Sequence, residues 1–219
     1  MRRFAVVVIA LLWIGVGPAF ARVPVKMMHT TRTRAHGSYV QSVVSPEVHG
    51  IRQAARINAL LRKTWPVNPD NLGEPGQVYR EDVRGTVELN RGDILSVYYE
   101  GLGVITQGGR IATAHPTKLA SAVTLNVRTS HAYTFAELFR EPGGVARLVH
   151  GRIERQLGAG CDPDPAATTW AFYLTDRAMV VIFPDAPFAV ASVKVKIPWS
   201  DLRPFANPHG PLPVLMRAR

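Results

Sequence analysis

Two alternating stretches, VRGTVELN (residues 83–90) and ILSVYYEGLGVI (residues 94–105), meet at Asn90-Arg91-Gly92-Asp93. Runs of period two separated by a glycine-centred turn specify a β-hairpin, because Gly92 can take the positive φ that the turn needs. Once this hairpin forms, neighbouring segments must extend its sheet and something must cover its apolar face. Further strands are predicted in GSYVQSVVS, in KLASAVTLNVRT, where Leu119, Val123, Leu125 and Val127 alternate, and in SVKVKI, where Val193, Val195 and Ile197 oppose Lys194 and Lys196. WAFYLTDRAMVVIFP reads as another hairpin, turning at Thr175-Asp176-Arg177.

Helical periodicity occurs in two long places. Ser45-Pro46-Glu47 resembles a helix start, and Val48, Ile51, Ala55, Ile57, Leu60 and Leu61 form an apolar stripe up to Trp65. Val145, Leu148, Val149, Ile153 and Leu157 form a second stripe. Thr134 and Glu137 have capping-box spacing for a short turn over TFAELF. Strands dominate and do not alternate regularly with helices. The expected class is α+β, an antiparallel sheet built from hairpins and packed by two main amphipathic helices.

The N-terminus MRRFAVVVIALLWIGVGPAFA combines two arginines, a short apolar core and an Ala-x-Ala exit. That is the pattern of a secretory signal peptide over residues 1–21, and the apolar run is short of the roughly 20 residues a membrane span needs. Residues 22–36 are basic, lack sustained periodicity and are expected to be a flexible lead-in; 37–206 form the domain and 207–219 a Pro-rich tail. No other segment is apolar enough to span a membrane once the signal is removed. The net charge is +10, and losing Arg2 and Arg3 with the signal leaves +8. Export argues against nucleic acid and favours anionic envelope polymers, lipid headgroups or an acidic partner. Cys161 is the only cysteine, so stability must come from a core, which the 47% apolar content can supply.

In their order, ARINALL, ILSVYYEGL, TAHPTK followed by VTLNVRTSHAYTFAELF, YLTDRAMVVIF and VKIPWSDLRPF resemble the extracytoplasmic domain of RsiV-type anti-sigma factors. The resemblance covers roughly residues 37 to 206, and its best-matched element is Thr113-Ala114-His115-Pro116 with Thr134–Phe139. Thr113 stands where the family usually has glycine, and Val127–Ser130 replaces its usual turn. The family's external domain is a lysozyme receptor, which implies a binding domain here. With three residues ahead of the apolar run, no cytoplasmic sigma-binding part is expected, so the resemblance implies a free-standing sensing, binding or inhibitory module.

His115 follows a Gly-rich loop and is held extended by Pro116, so its imidazole is expected to bond loop backbone or to contact a ligand there. Tyr98, Tyr99 and Glu100, at the end of one strand, complete the candidate binding group with Thr113, His115 and Pro116. His115 and His131 lie about 16 residues of extended chain apart, too far to share a metal. The sequence has no His-x-His, His-Glu-x-x-His or Cys-x-x-Cys, nor a Gly-x-Ser-x-Gly, so neither metal, cofactor nor catalytic residue is assigned. The leading expectation is an exported, non-catalytic binding module of the bacterial envelope, with lysozyme or an anionic envelope polymer as partner. The alternatives are a hydrolase of cell-wall polymers using a carboxylate such as Glu100, and a structural periplasmic protein without a small ligand.

Overall fold

The computed structural model describes residues 22–34, 38–67, 75–112, 116–157, 170–183 and 193–217. The expected signal peptide and Cys161 lie outside them. The predicted hairpin is the longest feature. Strands β3 (Gln77–Arg91) and β4 (Ile94–Gln107) pair antiparallel around Gly92, whose φ is 57°. A bulge at Glu88, between Val87 and Leu89, sets two residues against one near the turn.

On the far side of β3, the sheet differs from the hairpin-only expectation. Strand β2 (Tyr39–Val48) pairs with β3 in parallel, connected through helix α1 (Ala54–Lys63), so this corner is a β-α-β unit in an otherwise antiparallel sheet. Pro46 does not open a helix. It lies inside β2, beyond Val44↔Arg84 where the β2–β3 pairing ends, so its missing N–H breaks no bond to β3. The basic lead-in also takes regular structure: Val25–Arg34 is strand β1, antiparallel to β2 along its whole length. Its sequence hides this, because threonines and charges replace the apolar residues that usually mark a strand.

Strand β5 (Arg110–Ile111) pairs with the end of β4, and β6 (Thr117–Asn126) and β7 (His131–Ala132) complete a seven-stranded sheet in the order β1-β2-β3-β4-β6-β7. Helix α1 covers one face, sealing Ile57, Leu61 and Trp65 against Val43, Val83, Val97, Tyr99 and Leu125. Asn58 anchors the helix, accepting from Val48 N–H at 2.8 Å and donating to Val48 C=O at 3.0 Å.

A second layer sits on part of the other face. Strands β8 (Ala171–Leu174), β9 (Ala178–Phe183) and β10 (Val193–Pro198) form a small antiparallel sheet in the order β10-β9-β8. Helix α3 (Pro142–Leu157) packs Val145, Val149 and Ile153 into the same core as Met179, Val181, Val195 and Ile197. Helix α2 (Phe135–Leu138) has the anticipated Thr134–Glu137 capping box. Helix α4 (Trp199–Leu202) follows β10 directly. The C-terminal stretch expected as a tail includes helix α5 (Leu212–Arg217), with Leu212, Leu215 and Met216 buried in that core. Among the described residues, the two longer helices are therefore joined by three short α-helices and a 3-10 turn at Arg203–Phe205 rather than packing the sheets alone.

Glycines in the large sheet make room for tyrosines. Gly85 lies opposite Tyr99 in the β3–β4 register, and a Cβ there would be 2.6 Å from the Tyr99 ring and 2.8 Å from Pro46 Cδ. At Gly103 a Cβ would collide with the Tyr79 hydroxyl. Overpacking a buried site of this kind costs about 1–3 kcal/mol. Gly85→Ala is expected to lower the unfolding free energy by about that amount in urea titrations followed by tryptophan fluorescence. No change would mean that Tyr99 and Pro46 repack freely.

Candidate functional site

Tyr98, Tyr99 and Glu100 are consecutive on β4, and the pleat sends them to different faces. Tyr99 points to the α1 side and is fully buried. Its hydroxyl lies 3.0 Å from Ser45 Oγ, which also accepts from Trp65 Nε1 at 3.2 Å. Tyr99 is thus a core residue, withdrawn from any surface contact. Tyr98 points the other way, into the seam between the sheets, where its ring lies 5.0 Å from that of Tyr173 on β8.

Glu100 lies where that seam opens to solvent. Strand β4 is buried on both faces from Ile94 to Tyr99, and from Glu100 onward the side away from α1 becomes accessible. Glu100 Oε2 accepts from Tyr98 Oη at 3.2 Å and from Lys194 Nζ at 3.2 Å. The same ammonium lies 4.2 Å from the centre of the Tyr98 ring, a cation–π contact. Together with Gly101, Leu102, Lys118 and Leu119, these groups line a shallow depression of about 240 Å³. Pro116 is exposed just before β6, while Thr113 and His115 lie outside the described residues.

Sequence reasoning missed Lys194, Tyr173 and Glu88. The alternation of SVKVKI does put Lys194 on a polar face, but nothing local in the sequence indicates that this face meets Tyr98. Burial pushes the Glu88 carboxyl upward; the positive Lys194 opposes that shift and the negative Glu100 adds to it. The Tyr98 phenol is held well above its ordinary value by burial first, then by the charge and hydrogen bond of Glu100. Burial also raises Tyr99 and Tyr173 to about 12, and the Glu88 charge adds to the shift at Tyr173. The site therefore presents a lysine–glutamate pair with an open sheet beside it, over neutral phenols that are buried beneath. Its exposed groups can hydrogen-bond and ion-pair with a partner.

The open sheet continues along β3, where buried residues alternate with exposed Arg80, Asp82, Arg84 and Thr86. Among the described residues, no three His, Cys, Asp or Glu side chains gather as a metal site would require. No helix among them is long and apolar enough to cross a membrane.

No family model matches the sequence, and no curated protein does. Solved structures do share the fold. A DUF3298 family member from Bacteroides fragilis NCTC 9343 superposes with a TM-score of 0.62 at 12% identity, covering 90% of this chain and 97% of that one. A DUF3298 family protein from Pseudomonas aeruginosa PAO1 gives 0.57 at 12%, covering 87% and 97%. The chain has the fold of these proteins, whose domain is one of unknown function.

The raised phenols have a consequence for alkaline stability. A folded-state pKa above the unfolded one contributes stability that is complete below the unfolded value and is lost as pH rises through the folded value. For Tyr99 and Tyr173 that window runs from 10.0 to about 12. Absorbance titration at 295 nm should show these phenols, and Tyr98, still protonated when an exposed tyrosine has ionised. Tyr98→Phe and Tyr173→Phe should each remove one late-titrating group. Ordinary titration of all six tyrosines would contradict the packing of the seam.

Proposed function

We propose that the chain is an exported, non-catalytic binding module of the bacterial envelope, and that its partner is an anionic envelope polymer. The observation that carries this reading is the open face that begins at Glu100. It is an uncovered, charged sheet surface with Arg80, Arg84 and Lys118 on it, and its shape suits a long, flexible partner. The formal charge of +10, which becomes +8 once Arg2 and Arg3 leave with residues 1–21, supplies long-range attraction for a polyanion. The signal-like residues 1–21 and the resemblance to RsiV-type domains support export and a binding role.

Two further observations favour this reading over its competitors. Against Glu100 as the acid of a hydrolase, a glycosidase acid needs a desolvated carboxyl, whereas the Glu100 side chain is 58% exposed and held by Lys194. The common lysozymes bound by RsiV-type receptors are basic, and a basic domain repels them at long range.

Calorimetric titration of the purified protein with heparin as a model polyanion, neutral dextran and a c-type lysozyme separates these readings. Heparin is expected to bind, weakening at least about tenfold between roughly 50 and 300 mM salt as screening shortens the Debye length. Arg80→Glu with Arg84→Glu should weaken it further, and dextran should give no heat. Micromolar lysozyme binding at physiological salt would instead favour the receptor role of the RsiV-type domains. Turnover of purified peptidoglycan that is lost in Glu100→Gln would favour the hydrolase.

A further inference from the structure

We infer that the outer edge of β1 is a docking site for an extended acidic peptide, which would add to the large sheet as a further strand. Strand β1 is terminal in the seven-stranded sheet and ten residues long, with β2 on one side only. Its hydrogen-bonding phase follows from one bond at its start. His49 N–H donates to Pro24 C=O at 3.0 Å, so the Pro24/His49 pair is a hydrogen-bonded one. Alternation then assigns Lys26, Met28, Thr30 and Arg32 to bonds with β2. The N–H and C=O groups of Val25, Met27, His29, Thr31 and Thr33 point outward.

Just ahead of this row, the corresponding groups of Val23 are already taken. The Asn90 side chain accepts from Val23 N–H at 2.9 Å and donates to Val23 C=O at 2.8 Å, the pair of bonds an added strand would make. Beyond Val23, no backbone or side-chain group among the described residues is seen to continue this pairing. A groove of about 680 Å³ runs beside Val25 and Met27, its far wall carrying Arg22 and Arg91 together with Glu88 and Asp176, so the wall is balanced in charge and the selection for acid comes from β1 itself. An incoming strand would lie against that wall.

Two of the usual protections of an edge are missing, and the one present, positive charge at Lys26, Arg32 and Arg34, repels basic strands and leaves acidic ones free to pair. Val25–Arg34 contains no proline, and its pairing with β2 shows no bulge. Met27 and Met28 are 48% and 43% exposed on opposite faces, which gives flexible apolar contacts to side chains above and below an added strand.

Charge decides the occupant. From Arg22 to Gly37 the chain carries Arg22, Lys26, Arg32 and Arg34 and no acidic residue. A second copy pairing antiparallel about His29 would set Lys26 opposite Arg32; of the two neighbouring registers, one sets Lys26 opposite Arg34 and the other sets Arg22 opposite Arg34. Like charges directly opposite are destabilising. An acidic strand of alternating character meets the same positions with opposite charge, its carboxylates falling across from Lys26 and Arg32 on one face and its apolar residues across from Val25 and Met27 on the other. Glu88 lies between this groove and the Lys194–Glu100 pair, but Arg80, Arg84 and Lys118 of the open face do not line the groove, so either proposal can fail without the other.

The test uses the full chain and a capped ten-residue peptide of alternating valine and glutamate. Two controls are the lysine counterpart of the peptide and the same Val-Glu peptide with every second amide N-methylated, made in both phases. By fluorescence titration the Val-Glu peptide is expected to bind at least tenfold tighter than the lysine peptide. One N-methyl phase should lose at least tenfold and the other should not. Amide exchange should show Met27, His29, Thr31 and Thr33 fast in the free protein and slowed on binding, while Met28 and Thr30 are slow throughout. Met27→Pro removes an outward N–H without touching a bond to β2, so it should abolish peptide binding and leave the heparin affinity and circular dichroism unchanged. Equal binding of both N-methyl phases, protection confined to other strands, or no binding at millimolar peptide would overturn the inference. So would a dimer that protects the same amides and excludes the peptide.

Discussion

The two layers of this protein are tied at a buried hydroxyl. Ser96 Oγ on β4 lies 2.8 Å from Thr124 Oγ1 on β6 and accepts from Leu174 N–H on β8, also at 2.8 Å. Strand β8 is at the edge of its sheet, so without Ser96 the Leu174 amide would be buried with no partner, which costs about 1–3 kcal/mol. The bond fixes where the small sheet lands on the large one. That placement brings Tyr173 against Tyr98, and β10, two strands further on, delivers Lys194 to Glu100. The candidate site is therefore a product of the seam between layers.

On the α1 side, polarity is handled by burial with partners. Tyr39 Oη and Gln41 Nε2 both donate to Glu81 Oε2, the latter at 2.9 Å, and Gln41 also donates to Pro66 C=O at 3.0 Å. Glu81 is almost fully buried, so its carboxylate depends on such donors. These contacts hold the loop after α1 against β2 and β3. They set the parallel register in which Gln41 faces Glu81.

The local parts of this architecture were legible in the sequence and the assembled parts were not. Asn90–Asp93 between alternating runs announced the β3–β4 hairpin, and Thr134 with Glu137 announced the capped turn, because each signal lies within a few residues of its effect. The parallel pairing of β2 with β3 was hidden, since its register is fixed across α1 by contacts such as Gln41–Glu81. Strand β1 was hidden because its residues satisfy the backbone ladder while its side chains stay largely in water. Tyr98 and Glu100 were found as neighbours on one strand. Glu88 escaped because it sits at a bulge that no local signal announces, and Lys194 and Tyr173 escaped because they arrive from a different sheet.

Strand lengths make the uncovered surface unavoidable. At about 3.3 Å per residue, β3 and β4, of 15 and 14 residues, run close to 50 Å, whereas the longest strands of the small sheet, with six residues, reach about 20 Å. A layer that short covers less than half of the long strands whatever its orientation along them. Beyond the end of the small sheet, the large sheet has only α1 behind it, so the front must be polar. The exposed alternation of Arg80, Asp82 and Arg84 meets that requirement. The charged face and the paired Lys194–Glu100 at its border thus follow from one mismatch in length, and shortening β3 and β4 would remove the proposed binding surface together with the solvated face.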